Sequence, residues 1–177
     1  GTSAPLQVTA ELEAEIARIQ AQGQVASLEL EMARRRGLVN TTDLAPDYLA
    51  HLMQLVDVPR LRRAGSKVVA DAMFGAGAGY FRRLLEGDRT EVVEIHGERH
   101  PLFPGLQPEP IAPNLNELSA AVKKTGASLG LATDGDADRL GVVDEQGNIL
   151  TPHQVFALLA YYLLEARGER GPLIRTA

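Results

Sequence analysis

The 177-residue chain contains no cysteine. It can therefore form neither a disulfide scaffold nor a Cys-ligated zinc or iron–sulfur site, and it suits a reducing compartment. Positive charge is also scarce: 18 Lys plus Arg stand against 23 Asp plus Glu, a formal charge of −5. That balance leaves no footprint for nucleic acid. The one basic run, Arg34-Arg35-Arg36, precedes Gly37 and reads as cations closing a helix against its dipole. Long apolar runs are missing too. Val155–Leu164 is the most apolar stretch and is far too short to span a bilayer. Gly1-Thr2-Ser3 lacks the basic and apolar regions of a signal peptide. A cytoplasmic protein with no membrane partner is the expectation. Neither end reads as a natural terminus, since residue 1 is not Met and Pro172–Ala177 stops within a strand-like run.

What is present is an ordinary globular composition, 45% hydrophobic and 23% charged, long enough for one domain with extensions. The first third reads as helical. Leu12, Ile16 and Ile19 repeat at helical spacing, Gly23 interrupts, and Gly37 ends the pattern. A second helix is expected with Pro46 and Asp47 in its first turn, an apolar stripe of Leu49, Leu52, Met53 and Val56, and Pro59 helping to close it.

From Lys67 the pattern alternates. Lys67–Ala70, Glu91–Ile95 and Ser128–Ala132 are short apolar strand candidates. A Gly75-Ala76-Gly77-Ala78-Gly79 turn follows the first and leads into a helix bearing Phe81, Leu84 and Leu85. The segment Pro101–Pro113 is too punctuated for regular structure. Asn114 is expected to cap the next helix with Glu117 in a capping box, turning Leu115, Leu118 and Val122 inward. Leu140–Val143 and Ile149–Leu150 form a hairpin, after which Thr151 caps and Pro152 opens an apolar helix running to Arg167, with Tyr161 and Tyr162 as packing residues. The fold class expected is α/β: a three-layer α/β/α domain with a mostly parallel sheet and an antiparallel edge hairpin. Ligands of such sheets bind beyond the carboxyl ends of the strands, which points to the loops after Ala70 and Ala132.

The second of those loops is Thr133-Asp134-Gly135-Asp136-Ala137-Asp138-Arg139. Three carboxylates in five residues repel one another unless a cation or water compensates. Gly135 and Ala137 keep the intervening side chains small, so three oxygens can aim at one point. Hard oxygen donors without His or Cys favour Mg2+, with calcium and manganese as alternatives. A solvated acidic turn is the plainer alternative, and the strand-end position counts against it. An EF-hand would need Gly where Arg139 stands, and helices where the flanks are strand-like. A haloacid-dehalogenase type phosphatase would make Asp134 or Asp136 a phosphorylated nucleophile, although the third acid and the Arg fit that pattern poorly.

Asp-Gly-Asp-Ala-Asp-Arg after an apolar strand resembles the magnesium loop of the α-D-phosphohexomutases, the phosphoglucomutase/phosphomannomutase family. Val69–Gly77 resembles the strand and glycine turn of that family's second domain, and Pro108-Glu109-Pro110-Ile111 with Asn114-Leu115 resembles the segment before its next helix. The resemblance implies a middle fragment. Residues 1–42 would be the helical end of the first domain, 43–150 the second domain, and 151–177 the start of the third. It also implies an enzyme that interconverts hexose 1- and 6-phosphates of glucose or mannose through a phosphoserine and a bisphosphate. Asp134, Asp136 and Asp138 would be Mg2+ ligands and Arg139 would hold phosphate. Ser3, Ser27, Ser66, Ser119 and Ser128 all lack the His-Asn-Pro that follows the family's reactive serine, so no catalytic nucleophile is expected in this chain. Its partners would be the other mutase domains and the hexose phosphate. A non-catalytic metal-binding module is the competing description.

Other signals are weaker. Gly75, Gly77 and Gly79 invite a dinucleotide reading, but Tyr80 stands where the third motif glycine is required, so a tight turn and close helix packing are expected instead. Asp71 is expected to cap that turn. His96 and His100 are not expected to form a helical metal pair, and His51 and His153 stand alone.

Overall fold

The structure is a computed structural model that describes residues 4–23 and 25–174. It divides into two compact units, Gly1–Pro46 and Asp47–Ala177. The first unit carries α1 (Leu6–Ala21) and α2 (Leu30–Arg35), and Gly23, at φ 61°, follows the end of α1. The expected α1 stripe is helical but not buried: Leu12 and Ile16 are both more than half exposed. Ser3 and the opening residues lie outside the described residues.

α3 (Ala45–Leu55) has Asp47 in its first turn, as its sequence suggests. Leu49 is buried, whereas Met53 and Val56 are exposed, so only part of the expected stripe packs. Pro59 does not close this helix. It lies in the first turn of α4 (Val58–Arg63), which Asp57 caps by accepting from Arg60 N at 3.0 Å. A first-turn proline forfeits no helical hydrogen bond, so Pro59 opens a helix more readily than it ends one.

The sheet is mixed, in the order β2-β1-β3-β4-β5. β1 (Lys67–Asp71) lies parallel to β2 (Glu91–Ile95) and to β3 (Leu129–Thr133). β4 (Leu140–Asp144) and β5 (Ile149–Leu150) continue antiparallel as the edge hairpin. Parallel neighbours need crossovers, supplied here by α5 (Tyr80–Leu85) and α6 (Asn116–Thr125). The core joins Val69, Ala132 and Val143 of the sheet to Leu115, Leu118 and Val122 on and beside α6. Gly130 brings the two layers close, since a Cβ there would stand 2.8 Å from Val122 Cγ2 and 2.9 Å from Leu118. An α/β fold, a mostly parallel sheet and an antiparallel edge all stand as the pattern indicated.

The start of α6 differs from expectation. Leu115 occupies the cap position, with no side-chain cap. Asn114 instead donates its amide to Glu109 O at 3.0 Å, and Glu117 reaches His96. Burial of Leu115 outweighs the local capping preference. Thr151 caps as expected, and it does so in a capping box with Gln154 that opens α7 (Pro152–Tyr161). A π-helical turn, Tyr162–Ala166, extends it. Tyr161 and Tyr162 are 67% and 50% exposed, so they do not pack as expected. Residues 172–174 form no strand, and 175–177 lie outside the described residues. No described helix is long and apolar enough to cross a membrane.

Candidate metal centre

β3 ends at Thr133 and delivers the acidic loop at the carboxyl edge of the sheet. Asp134 turns inward and is 1% exposed, while Asp136 and Asp138 are exposed. One carboxylate oxygen from each of the three lies within 4.8 Å of the others. Asp134 is held by three donors. Its Oδ1 accepts from the backbone N–H groups of Asp138 (2.9 Å) and Arg139 (3.0 Å), and its Oδ2 accepts from Arg139 Nε at 2.7 Å. Arg139 also donates through Nη1 to Glu109 at 3.3 Å. Ala137 takes a left-handed conformation, φ 64°, which turns the loop between Asp136 and Asp138.

Two other loops form the walls. The turn after β1 meets the acidic loop through Ala76 N, which donates to Gly135 O at 3.0 Å. Gly75 lies so close that a Cβ would stand 2.6 Å from Gly135 O, and Gly77 is equally tight against Thr133. Gly75 serves backbone contact with the acidic loop, and Gly77 makes room for the Thr133 side chain. On the other side, Gly135 N donates to Pro108 O at 3.2 Å, and Phe103 and Pro108 press on Gly135. A cavity of about 390 Å³ adjoins the loop, lined by Leu52, Tyr80, Phe81, Thr133 and Asp136 among others.

Electrostatics separate the three acids. Burial alone would raise the Asp134 carboxyl, but the hydrogen bonds from Arg139 and from Asp138 N outweigh it and hold the group below the usual carboxylate range. Asp138 moves the other way, raised first by the charge of Asp136 and then by Asp134. Arg139 is pushed up by Asp134 and Glu109, so it stays charged. One guanidinium thus faces three carboxylates, and its bonds go to Asp134 and Glu109. The charge left over at Asp136 and Asp138, with its hard oxygen donors, fits a divalent cation.

Residues 46–147 match the family described as phosphoglucomutase/phosphomannomutase, alpha/beta/alpha domain II. The chain belongs to that family. It is 38% identical over 133 residues to the phosphoglucomutase of Neisseria meningitidis serogroup B, covering 75% of this chain and 28% of that protein. The phosphoglucomutase/phosphomannomutase of Thermococcus kodakarensis is 34% identical over 140 residues, covering 79% and 30%. A crystal structure from Thermus thermophilus, assigned as a phosphomannomutase, superposes with a TM-score of 0.67 at 38% identity, over 75% of this chain and 31% of that one. The chain therefore spans less than a third of the length of these relatives.

Sequence reasoning missed one feature of this family member. Asp71, buried at the end of β1, accepts from Met73 N at 2.8 Å, the turn cap expected of it. It also lies 2.9 Å from Nδ1 of His96, whose Nε2 is 3.3 Å from Glu117. The parallel register Asp71↔Ile95 was the available signal, because it places residue 96 beside residue 71. His100 lies edge-on to Phe74, and His51 and His153 are exposed. Burial pushes the Asp71 carboxyl above its ordinary 3.8, against the bonds from Met73 and His96. Its stabilising contribution is therefore full below pH 3.8 and is lost as pH rises through the raised native value. The unfolding free energy of the wild type relative to Asp71→Asn should fall over that window. Urea titrations at a series of pH values measure it, and a pH-independent difference would contradict the assignment.

Proposed function

We propose that this chain supplies the metal loop of a phosphohexomutase that interconverts hexose 1-phosphate and hexose 6-phosphate, with glucose or mannose as the sugar, through a phosphoserine and a bisphosphate intermediate. The supporting observation is the convergence of Asp134, Asp136 and Asp138 at the strand edge of a chain from this family. Their all-oxygen donor set suits Mg2+. When bound, Mg2+ neutralises charge on a phosphoryl group in transfer.

The chain's own residues prepare for that chemistry. Asp134, kept ionised by three donors, would present a fixed carboxylate, while the exposed Asp136 and Asp138 complete the ligand set. Arg139 spends Nε on Asp134 and Nη1 on Glu109, which leaves further N–H donors for a phosphate oxygen. No serine of the 177 residues is followed by His-Asn-Pro, so the phosphoryl carrier is assigned to another mutase domain. The remaining partner is the hexose phosphate, with no role for nucleic acid or membrane, and the site of action is the cytoplasm.

Two measurements test this reading. Titration calorimetry should show saturable Mg2+ binding. Phosphorus NMR of the chain with glucose 1-phosphate, Mg2+ and glucose 1,6-bisphosphate should show no glucose 6-phosphate. Isomerisation by the chain alone would overturn the assignment of the carrier to another domain. Stoichiometric aspartyl-phosphate would instead make Asp134 or Asp136 a nucleophile.

A further inference from the structure

The Asp71–His96–Glu117 group stands at the same sheet edge as the acidic loop, yet no residue of it belongs to the ligand set. Asp71 is fully buried, and its Oδ2 has no hydrogen-bond partner among the described residues. His96 is 16% exposed, and its ring packs on Phe74 with centroids 4.6 Å apart. Burying a carboxylate at this depth is costly unless it is paired and hydrogen-bonded, and the contacts Asp71 has are to Met73 N and His96 Nδ1.

The contacts lead to the metal loop. Asp71 Oδ1 fixes Met73 N, and Met73 and Phe74 are both left-handed, φ 46° and 58°, a conformation that neither residue favours. Phe74 N donates to His96 O at 3.0 Å, so backbone and ring of His96 grip the same turn. Directly beyond come Gly75, flush against Gly135, and Ala76, whose N–H donates to Gly135 O. The far end of the turn is tied to β2 by Gly79 N donating to Glu94 at 2.7 Å.

We propose that His96 is a positioning residue, which sets the seat of the Asp134–Asp138 loop by clamping the Asp71–Gly77 turn from β2. The inference rests on the metal reading for its consequence but not for its geometry. Loss of the Nδ1 contact to Asp71 loosens the turn, the Ala76–Gly135 bond opens more often, and the three carboxylates lose their common focus. Supports of this kind around a metal site are typically worth about 10–100-fold in affinity.

Two polar variants separate the contacts. In His96→Asn the amide nitrogen replaces Nδ1, and Asn tolerates the left-handed φ of 46° at this position. In His96→Gln the amide replaces Nε2 and leaves Asp71 without its partner. Amide hydrogen exchange at Ala76, the donor of the Ala76–Gly135 bond, should quicken about tenfold in His96→Gln, with Val69 and Val143 unchanged, while His96→Asn stays close to wild type. Glu117→Ala, at an exposed residue and so without risk to the fold, should quicken the Ala76 amide about threefold. Mg2+ affinity should follow, about tenfold weaker in His96→Gln and restored in His96→Asn. Uniform quickening that includes the core strands, or no change at Ala76, overturns the inference. A wild type that fails to bind Mg2+ overturns the metal reading instead, because the exchange experiment still decides the role of His96.

Discussion

The Asp136→Asn variant should bind Mg2+ about 100-fold more weakly than the wild type, a loss of about 2.7 kcal/mol. The substitution replaces a charged ligand with a neutral one of the same shape. Because Asp136 is exposed, the unfolding free energy should stay within about 0.5 kcal/mol of the wild type. Asp134→Asn would be a poorer test, since it replaces one of two buried acceptor oxygens with an NH2 donor, which must then face either Arg139 Nε or the backbone N–H groups of Asp138 and Arg139. A second signature follows from the repulsion within the loop. The charge of Asp136 is the leading cause of the raised Asp138 carboxyl, so Asp138 should titrate closer to its ordinary 3.8 in the variant. Calorimetry reads the affinity, and NMR titration of Asp138 reads the electrostatics. Unchanged affinity would place the cation elsewhere, and an unmoved Asp138 would mean that the carboxylates do not converge in solution.

These expectations were accessible before any coordinates because acids at alternating positions after an apolar strand are a local pattern. The strands were equally plain. A parallel strand covered on both faces reads as a short apolar run, and Val68–Ala70, Val92–Val93 and Leu129–Ala132 mark the centres of Lys67–Asp71, Glu91–Ile95 and Leu129–Thr133. What stayed hidden is what depends on contact between distant segments. Nothing around Gly75 or Gly77 announces that their missing side chains make room for residues 133–135. Pro108 and Phe103, in a stretch whose local pattern reads as irregular, turn out to be a wall of the acidic loop. His96 and Asp71 are 25 residues apart and meet only through the register of two parallel strands. Local rules also failed where tertiary contact outbid them: Asn114 gave up its capping role to bond Glu109 O, and Tyr161 and Tyr162 remain exposed on an apolar helix.

Gly75→Ala should cost about 2–3 kcal/mol of stability and about tenfold in Mg2+ affinity, although it adds a single methyl group. The added carbon would stand 2.6 Å from Gly135 O, 2.9 Å from Asp134 O and 2.9 Å from Gly135 Cα. All three are backbone atoms of the acidic loop, so no side-chain rotation relieves the overlap. Either the loop retreats, breaking the Ala76–Gly135 bond and spreading the carboxylates, or the turn shifts against the Asp71–His96 clamp. Gly79→Ala provides the control. Gly79 has φ +79° and no atom within 4 Å of the new carbon, so its cost is conformational, about 1 kcal/mol. Urea unfolding and calorimetry on the pair separate two kinds of glycine in one turn. Gly79→Ala should lose stability and keep its metal affinity, while Gly75→Ala should lose both. Equal metal affinity in the two variants would mean that the close approach of residues 75 and 135 does not support the cation site, and the contact would then serve only to join the loops.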